Sequence, residues 1–214
     1  DNKHQIITNL EVNKTVTITY KNANETSNLN SKSNTLFENI EPSSIGINYT
    51  QKENNFNDFD LQLLLPQKQS ENSSALAVGD INNDGLDDFF VGNAKDAVAS
   101  LYVQKPNGVF VETNPNLFHL DRIFEDTDAE FVDIDNDNDL DLYVTSGGYE
   151  NLENSKLLQN RLYLNNGKGI FKKTKLFENL IQTKKAVFSD FDQDGDQDVF
   201  LVGGVEHGRY PLSF

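Results

Sequence analysis

A nine-residue pattern of acidic and amide side chains occurs three times, in phase with the apolar runs around it. The first copy is Asp80-Ile81-Asn82-Asn83-Asp84-Gly85-Leu86-Asp87-Asp88. The second is Asp133-Ile134-Asp135-Asn136-Asp137-Asn138-Asp139-Leu140-Asp141, and the third Asp190-Phe191-Asp192-Gln193-Asp194-Gly195-Asp196-Gln197-Asp198. Successive copies start 53 and 57 residues apart. Each places an oxygen-bearing side chain at positions 1, 3, 5 and 9, and Gly, Asn or Gly at position 6. A short apolar run precedes each copy and another follows it, such as Ala75-Leu76-Ala77-Val78 before the first and Phe89-Phe90-Val91 after it. Repetition at this spacing describes a fold built from one supersecondary unit used several times.

A second element repeats in step. Leu101-Tyr102-Val103 followed by Asn107-Gly108-Val109-Phe110 matches Leu162-Tyr163-Leu164 followed by Lys168-Gly169-Ile170-Phe171. Each reads as strand, Gly turn, strand, which is a hairpin signal. Leu117-Phe118 and Leu176-Phe177 then recur, and Gly147 to Gln159 reads as an inserted polar loop in the second unit. One unit is therefore strand, acidic loop, strand, connection, strand, Gly turn, strand. Four short strands per repeat predict an all-β chain: a partial β-propeller of four-stranded antiparallel blades, two complete and a third incomplete. No sustained helical periodicity is present, apart from a short helix expected within Asn151 to Arg161. Upstream, strands are expected at Thr15 to Tyr20, at Leu36-Phe37 and at Ile45 to Tyr49, with a polar linker from Lys21 to Asn34 and a polar loop from Glu53 to Asp60. The expected organisation is a tail and linker over 1–30, an entry segment over 31–73 and blades over 74–127, 128–184 and 185–214.

The spacing of the acidic loops points to a hard divalent cation. Calcium takes six to eight oxygens at ~2.3–2.6 Å in a flexible shell, whereas magnesium prefers a tighter octahedron and retains water. The expected ligands are Asp80, Asn82, Asp84, Leu86 and Asp88 in the first loop. They are Asp133, Asp135, Asp137, Asp139 and Asp141 in the second, and Asp190, Asp192, Asp194, Asp196 and Asp198 in the third. Position 7 (Leu86, Asp139, Asp196) offers its backbone carbonyl, and position 6 needs the left-handed backbone that Gly and Asn adopt most readily. An EF-hand would close with Glu at position 12. Here that position is Val91, Val144 or Leu201, so the ninth residue closes the loop. Three Ca²⁺ sites are expected. The loops carry 14 of the 34 acidic residues, a density that repels itself without a cation.

Composition removes several alternatives. A net charge of −16 opposes a phosphate backbone, so no nucleic-acid partner is expected. The chain has no cysteine, hence no disulfide or thiolate chemistry. No apolar run reaches the ~18 residues of a membrane span. Methionine is absent, even at position 1, so a processed chain or part of a longer one is expected. No Gly-x-Ser-x-Gly elbow or phosphate-cradling loop is present. His4 falls in a loose N-terminal stretch. His119, near Asp121 and Arg122, reads as a loop residue rather than a catalytic one. Glu206, His207, Arg209 and Tyr210 form either a ligand patch or an ordinary connection between strands.

The loops and hairpins from 74 to 214 resemble the FG-GAP/VCBS repeat family of calcium-loop β-propellers, also seen in the head of integrin α chains. The chain is further similar to bacterial surface proteins in which such propellers adjoin a cartilage-acidic-protein-like (ASPIC/UnbV) segment; Asn9 to Ala23 would be the tail of that segment, and Glu53 to Ser70 would open the next propeller. Asn138 departs from the family pattern, where Gly is usual. The resemblance implies structural calcium, an extracellular or outer-membrane location with a lipid anchor supplied by the parent chain, and non-catalytic binding of a protein or glycan at the cell surface. An outer-membrane complex that covers open strand edges is another partner it implies. The alternative is a propeller-type polysaccharide lyase or hydrolase, for which Asp121, Glu125, Asp126 and Asp128 are the spare clustered acids.

Overall fold

A computed structural model describes residues 3–4, 13–22, 25–26, 36–71, 75–176, 178, 180–205 and 207–209. The chain divides into two compact units, Asp1–Ile40 and Glu41–Phe214. In the first, β1 (Lys3–His4) pairs antiparallel with β2 (Glu25–Thr26). The strand expected over Thr15 to Tyr20 does not form: residues 14–19 have no regular structure and a 3₁₀ turn follows at Tyr20–Asn22. Among the described residues its alternation faces no core, and Ile18 is 71% exposed. Leu36 and Phe37 are likewise a solvent-facing bend rather than a strand.

The second unit contains two complete four-stranded blades. Strands β3 (Leu76–Gly79), β4 (Asp88–Val91), β5 (Ser100–Gln104) and β6 (Phe110–Thr113) form an antiparallel sheet in sequence order. Strands β7 (Asp126–Val132), β8 (Asp141–Ser146), β9 (Arg161–Leu164) and β10 (Lys172–Thr174) repeat it. A third hairpin pairs β11 (Thr183–Ser189) with β12 (Asp198–Gly203). The first strands adjoin one another, β3 beside β7 and β7 beside β11. This is how consecutive propeller blades are arranged.

The strand pattern explains the stacking. β8 is buried along its whole length because both of its faces are covered. Leu142 and Val144 enter the core shared with the first blade, beside Phe90, Leu101, Ala129 and Tyr163. Tyr143, on the opposite face, packs with Leu162, Ala186 and Phe188 between the second and third blades. Period-two alternation with apolar residues on both faces is what a strand needs when it is sandwiched between two sheets. Edge-to-face rings tie the layers: Phe118 to Tyr163 at 5.5 Å and Tyr143 to Phe188 at 5.1 Å, within the range such pairs prefer.

Three elements differ from the sequence expectation. Leu117 and Phe118 lie on a six-residue helix, α2 (Pro115–Leu120). It follows Asn114, which is in the left-handed region (φ 54°), and has Pro in its first turn, where the missing N–H costs nothing and the fixed φ suits a helix. The stretch from Asn151 to Arg161 makes only a 3₁₀ turn at Lys156–Leu158, capped by Ser155, whose hydroxyl accepts the Leu157 N–H at 3.2 Å. Ile45 to Tyr49 is not a strand either. Pro42–Ile45 is a 3₁₀ turn, and the chain beyond it lies on the first blade: the Asn48 N–H donates to the Tyr102 hydroxyl at 3.3 Å, and the Tyr49 hydroxyl to the Gly92 carbonyl at 2.6 Å. Gly46 permits that approach, since a Cβ there would sit 2.2 Å from the Phe110 carbonyl oxygen. Further along, α1 (Asp58–Leu61) holds the buried Asp58, whose carboxylate accepts from the Ser70 hydroxyl and from the N–H groups of Gln69 and Ser70. Phe177 lies outside the described residues.

Candidate metal centre

Each acidic nonapeptide connects the first and second strands of its blade: β3 to β4, β7 to β8 and β11 to β12. Position 12 lies within the second strand every time, at Val91, Val144 and Leu201. The loops are built by a shared set of side-chain-to-backbone hydrogen bonds. The position-1 carboxylate accepts the N–H groups of positions 5 and 6: Asp80 from Asp84 (3.1 Å) and Gly85 (2.8 Å), Asp133 from Asp137 and Asn138 (both 3.1 Å), and Asp190 from Asp194 and Gly195 (both 3.1 Å). Position 5 accepts from position 7: Asp84 from Leu86 (3.0 Å), Asp137 from Asp139 (3.1 Å) and Asp194 from Asp196 (3.2 Å).

Position 9 ties the loop to the sheet. Asp88 accepts the Ile81 N–H at 3.2 Å and the Gln104 N–H at 2.8 Å. Asp141 accepts the Ile134 N–H at 3.2 Å and the Asn165 N–H at 2.8 Å. Asp198 accepts the Phe191 N–H at 2.9 Å. In the first two blades one carboxylate thus joins the loop to the end of the third strand. Asp88 and Asp141 are buried, and that burial raises their affinity for a proton despite the two N–H donors each receives. An opposite charge close to such a carboxylate would favour its ionised form.

Two residues per loop adopt the left-handed backbone. Position 6 does so as the sequence suggests, at Gly85 (φ 84°), Asn138 (69°) and Gly195 (98°). Position 4 does so as well, at Asn83 (58°), Asn136 (60°) and Gln193 (63°). Sequence reasoning missed this second turn. Its only signal is the Asn at two of the three sites, the residue after Gly that tolerates this region best.

The convergence of acids differs among the loops. Carboxylate oxygens of Asp133, Asp135 and Asp141 lie within 4.8 Å of one another, as do those of Asp190, Asp192 and Asp194. Oxygens that share one ion at ~2.3–2.6 Å can be no more than about 5 Å apart, so both trios fit a calcium-sized cation. The two trios cover positions 1, 3 and 9 and positions 1, 3 and 5. In the first loop position 3 is Asn82, and no trio of carboxylates closes there among the described residues; its amide oxygen accepts the Asp84 N–H at 3.0 Å instead. At position 7, Asp139 is an acid where the first loop has Leu86. Its Oδ1 is buried without a hydrogen-bond partner among the described residues. Burial, with the charges of Asp137 and Asp141 beside it, pushes its carboxyl up to about 6.

The other candidate acids are engaged individually. Asp121 accepts the Tyr163 hydroxyl at 2.8 Å and pairs with Lys173 at 2.6 Å. Asp126 pairs with the buried Arg161 at 2.5 Å, which also lies 4.5 Å from the centre of the Phe124 ring. Glu125 accepts the Lys95 N–H at 2.7 Å, and Asp128 accepts the Ala186 N–H at 3.0 Å. His119 is exposed on α2, and the adjacent Asp121 carboxylate is turned to Tyr163 and Lys173. His207 places its Nδ1 2.7 Å from the Tyr149 carbonyl oxygen, and Arg209 pairs with Glu153 at 3.0 Å. Glu206 and Tyr210 lie outside the described residues. Among the described residues no helix is long and apolar enough to cross a membrane.

Antiparallel four-stranded blades stacked by their first strands, with an acidic loop at the same turn of each, define a propeller-like all-β architecture. Residues 80–144 match the FG-GAP-like repeat family model. The match opens on the first residue of the first acidic loop and ends within β8, so it spans one full repeat period and both of the first two loops. No curated protein matches the chain.

Proposed function

We propose that this chain is a calcium-stabilised, non-catalytic propeller segment of an exported bacterial surface protein, and that its blades present a binding surface for a protein or glycan. The observation that carries the calcium part is the recurrence of one hydrogen-bonded acidic loop at the same turn of three blades, two of them with carboxylate trios closed to 4.8 Å. Asp80, Asn82, Asp84, Asp88 and the Leu86 carbonyl would hold the first ion. Asp133, Asp135, Asp137, Asp141 and the Asp139 carbonyl would hold the second, and Asp190, Asp192, Asp194, Asp198 and the Asp196 carbonyl the third. A bound cation supplies the positive charge that these crowded carboxylates lack. The position-1 and position-9 carboxylates do the rest of the work, as they pin the loop backbone and join it to the sheet. The family match over 80–144 supports the same reading, since FG-GAP repeats often bind calcium.

The test compares thermal unfolding in excess chelator and in excess calcium. Any ligand that binds only the folded state stabilises it by about 2.7 kcal/mol per site at a hundredfold excess over Kd. A melting temperature that rises markedly with calcium is expected; one that is the same in both conditions contradicts the proposal.

A further inference from the structure

The first strands of the second and third blades carry a β-bulge at the same place. On β7 the pairing steps from Asp126–Ser146 to Asp128–Thr145 and leaves Thr127 extra. On β11 it steps from Thr183–Gly203 to Lys185–Val202 and leaves Lys184 extra. Each extra residue lies six positions before the first Asp of its acidic loop. A bulge interrupts the alternation of side chains and re-aims those beside it, which is why bulges gather next to functional sites. Both bulges open on one cavity of about 530 Å³, at the ends of these strands remote from the acidic loops. That volume falls within the ~300–1,000 Å³ usual for small-molecule sites.

The lining has a definite chemistry. Lys184 makes no ion pair among the described residues, and the Lys185 ammonium stands 3.4 Å from Asp128 Oδ2 at an exposed position. Glu125, also on the wall, is buried, and that burial pushes its carboxyl up to about 8. Lys184 and Lys185 thus put two ammonium groups on one wall of the cavity, where Asp128 faces Lys185 and no acid is paired with Lys184 among the described residues. Leu76 and Val202 add apolar surface that is otherwise exposed.

We propose that this cavity binds a uronate-type sugar residue, with Lys184 and Lys185 taking its carboxylate, Asp128 accepting from ring hydroxyls, and Leu76 and Val202 meeting the C–H face. The proposal deepens the glycan-binding reading above and rests on it. A neutral sugar would leave the Lys184 ammonium without a counter-charge among the described residues. An acidic peptide would bring anions against Asp128 without hydroxyl donors for it. A charge-assisted hydrogen bond is roughly twice as strong as a neutral one, so the carboxylate is the group that sets selectivity.

The experiment is calorimetric titration of the full chain, in excess calcium, with trigalacturonate, maltotriose and triglutamate. Trigalacturonate is expected to bind at least about tenfold more tightly than the other two, and the variant Lys184→Gln/Lys185→Gln to lose about tenfold or more of that affinity. Both lysines are exposed, so the variant is expected to keep its fold and its calcium-dependent melting shift. Oligo-uronates also chelate calcium, and the variant retains all three acidic loops. Undiminished binding in it would therefore place the sugar elsewhere and overturn the proposal. Equal or tighter binding of maltotriose or triglutamate, or no binding of trigalacturonate, overturns it as well. A chain that responds to calcium but ignores trigalacturonate contradicts the cavity alone; one that ignores calcium contradicts the loop reading.

Discussion

Gly85 and Gly195 adopt positive φ with nothing within 4 Å of where a Cβ would sit. A substitution there therefore tests backbone conformation apart from packing. Gly85→Ala or Gly195→Ala is expected to cost about 1–2 kcal/mol, the penalty of placing an L side chain in the left-handed region, as measured by denaturant unfolding in excess calcium. Asn138 holds the same conformation in the second loop, so Asn138→Gly should stabilise or leave stability unchanged. A second residue-scale test concerns Glu125, raised from its ordinary 4.5 to about 8 by burial. The folded state keeps this proton to a higher pH than the unfolded state does. Its contribution to stability is fully present below about 4.5, falls as pH rises, and is exhausted above about 8. Glu125→Gln should remove that decline. The variant gains stability relative to the wild type as pH rises from 5 to 8.5, read from paired melts in saturating calcium; parallel curves would show that Glu125 is ionised in the fold.

Among the strands, one blade position illustrates how stacking sets energetics. Phe90, Tyr143 and Phe200 each lie two residues after the ninth residue of their loop. The first two are 1% exposed under the neighbouring packing layer, whereas Phe200 is 62% exposed. Tyr143→Ala should cost about 3–5 kcal/mol, as large-to-small changes of buried rings do, and Phe200→Ala no more than ~0.5 kcal/mol. Similar losses at both would mean that the third hairpin packs in a way the structure does not show. The acidic loops were legible in the sequence because the bonds that close them are local: positions 1 and 5 reach backbone groups within five residues, and position 9 reaches the N–H of position 2, although its second bond, to the end of the third strand, is not local. The hairpin β5–β6 was legible for the same reason, through its Gly turn. Helix α2 was not, since six residues are too few to display a 3.6 period. Thr15 to Tyr20 misled in the opposite sense: alternation signals a strand only where a sheet and a core receive it, and among the described residues neither does. Ile45, Ile47 and Tyr49 misled in the same sense: they alternate as a strand would, but the segment is held to the first blade by hydrogen bonds from Asn48 and Tyr49 rather than by strand pairing.

For the molecule taken together, the dominant quantity is charge. Fourteen of the 34 acidic residues sit in three loops, and three divalent ions would offset six of the sixteen net negative charges. The loop and sheet geometry brings particular acids within reach of one cation, Asp133, Asp135 and Asp141 in one loop and Asp190, Asp192 and Asp194 in another, while the sequence alone identifies only the spacing. Metal analysis of the purified chain after dialysis against calcium tests this most directly. The account predicts three calcium ions per chain, and two in Asp133→Ala, which removes the position-1 carboxylate of the second loop. No bound calcium in the wild type, or a count that Asp133→Ala leaves unchanged, would contradict it.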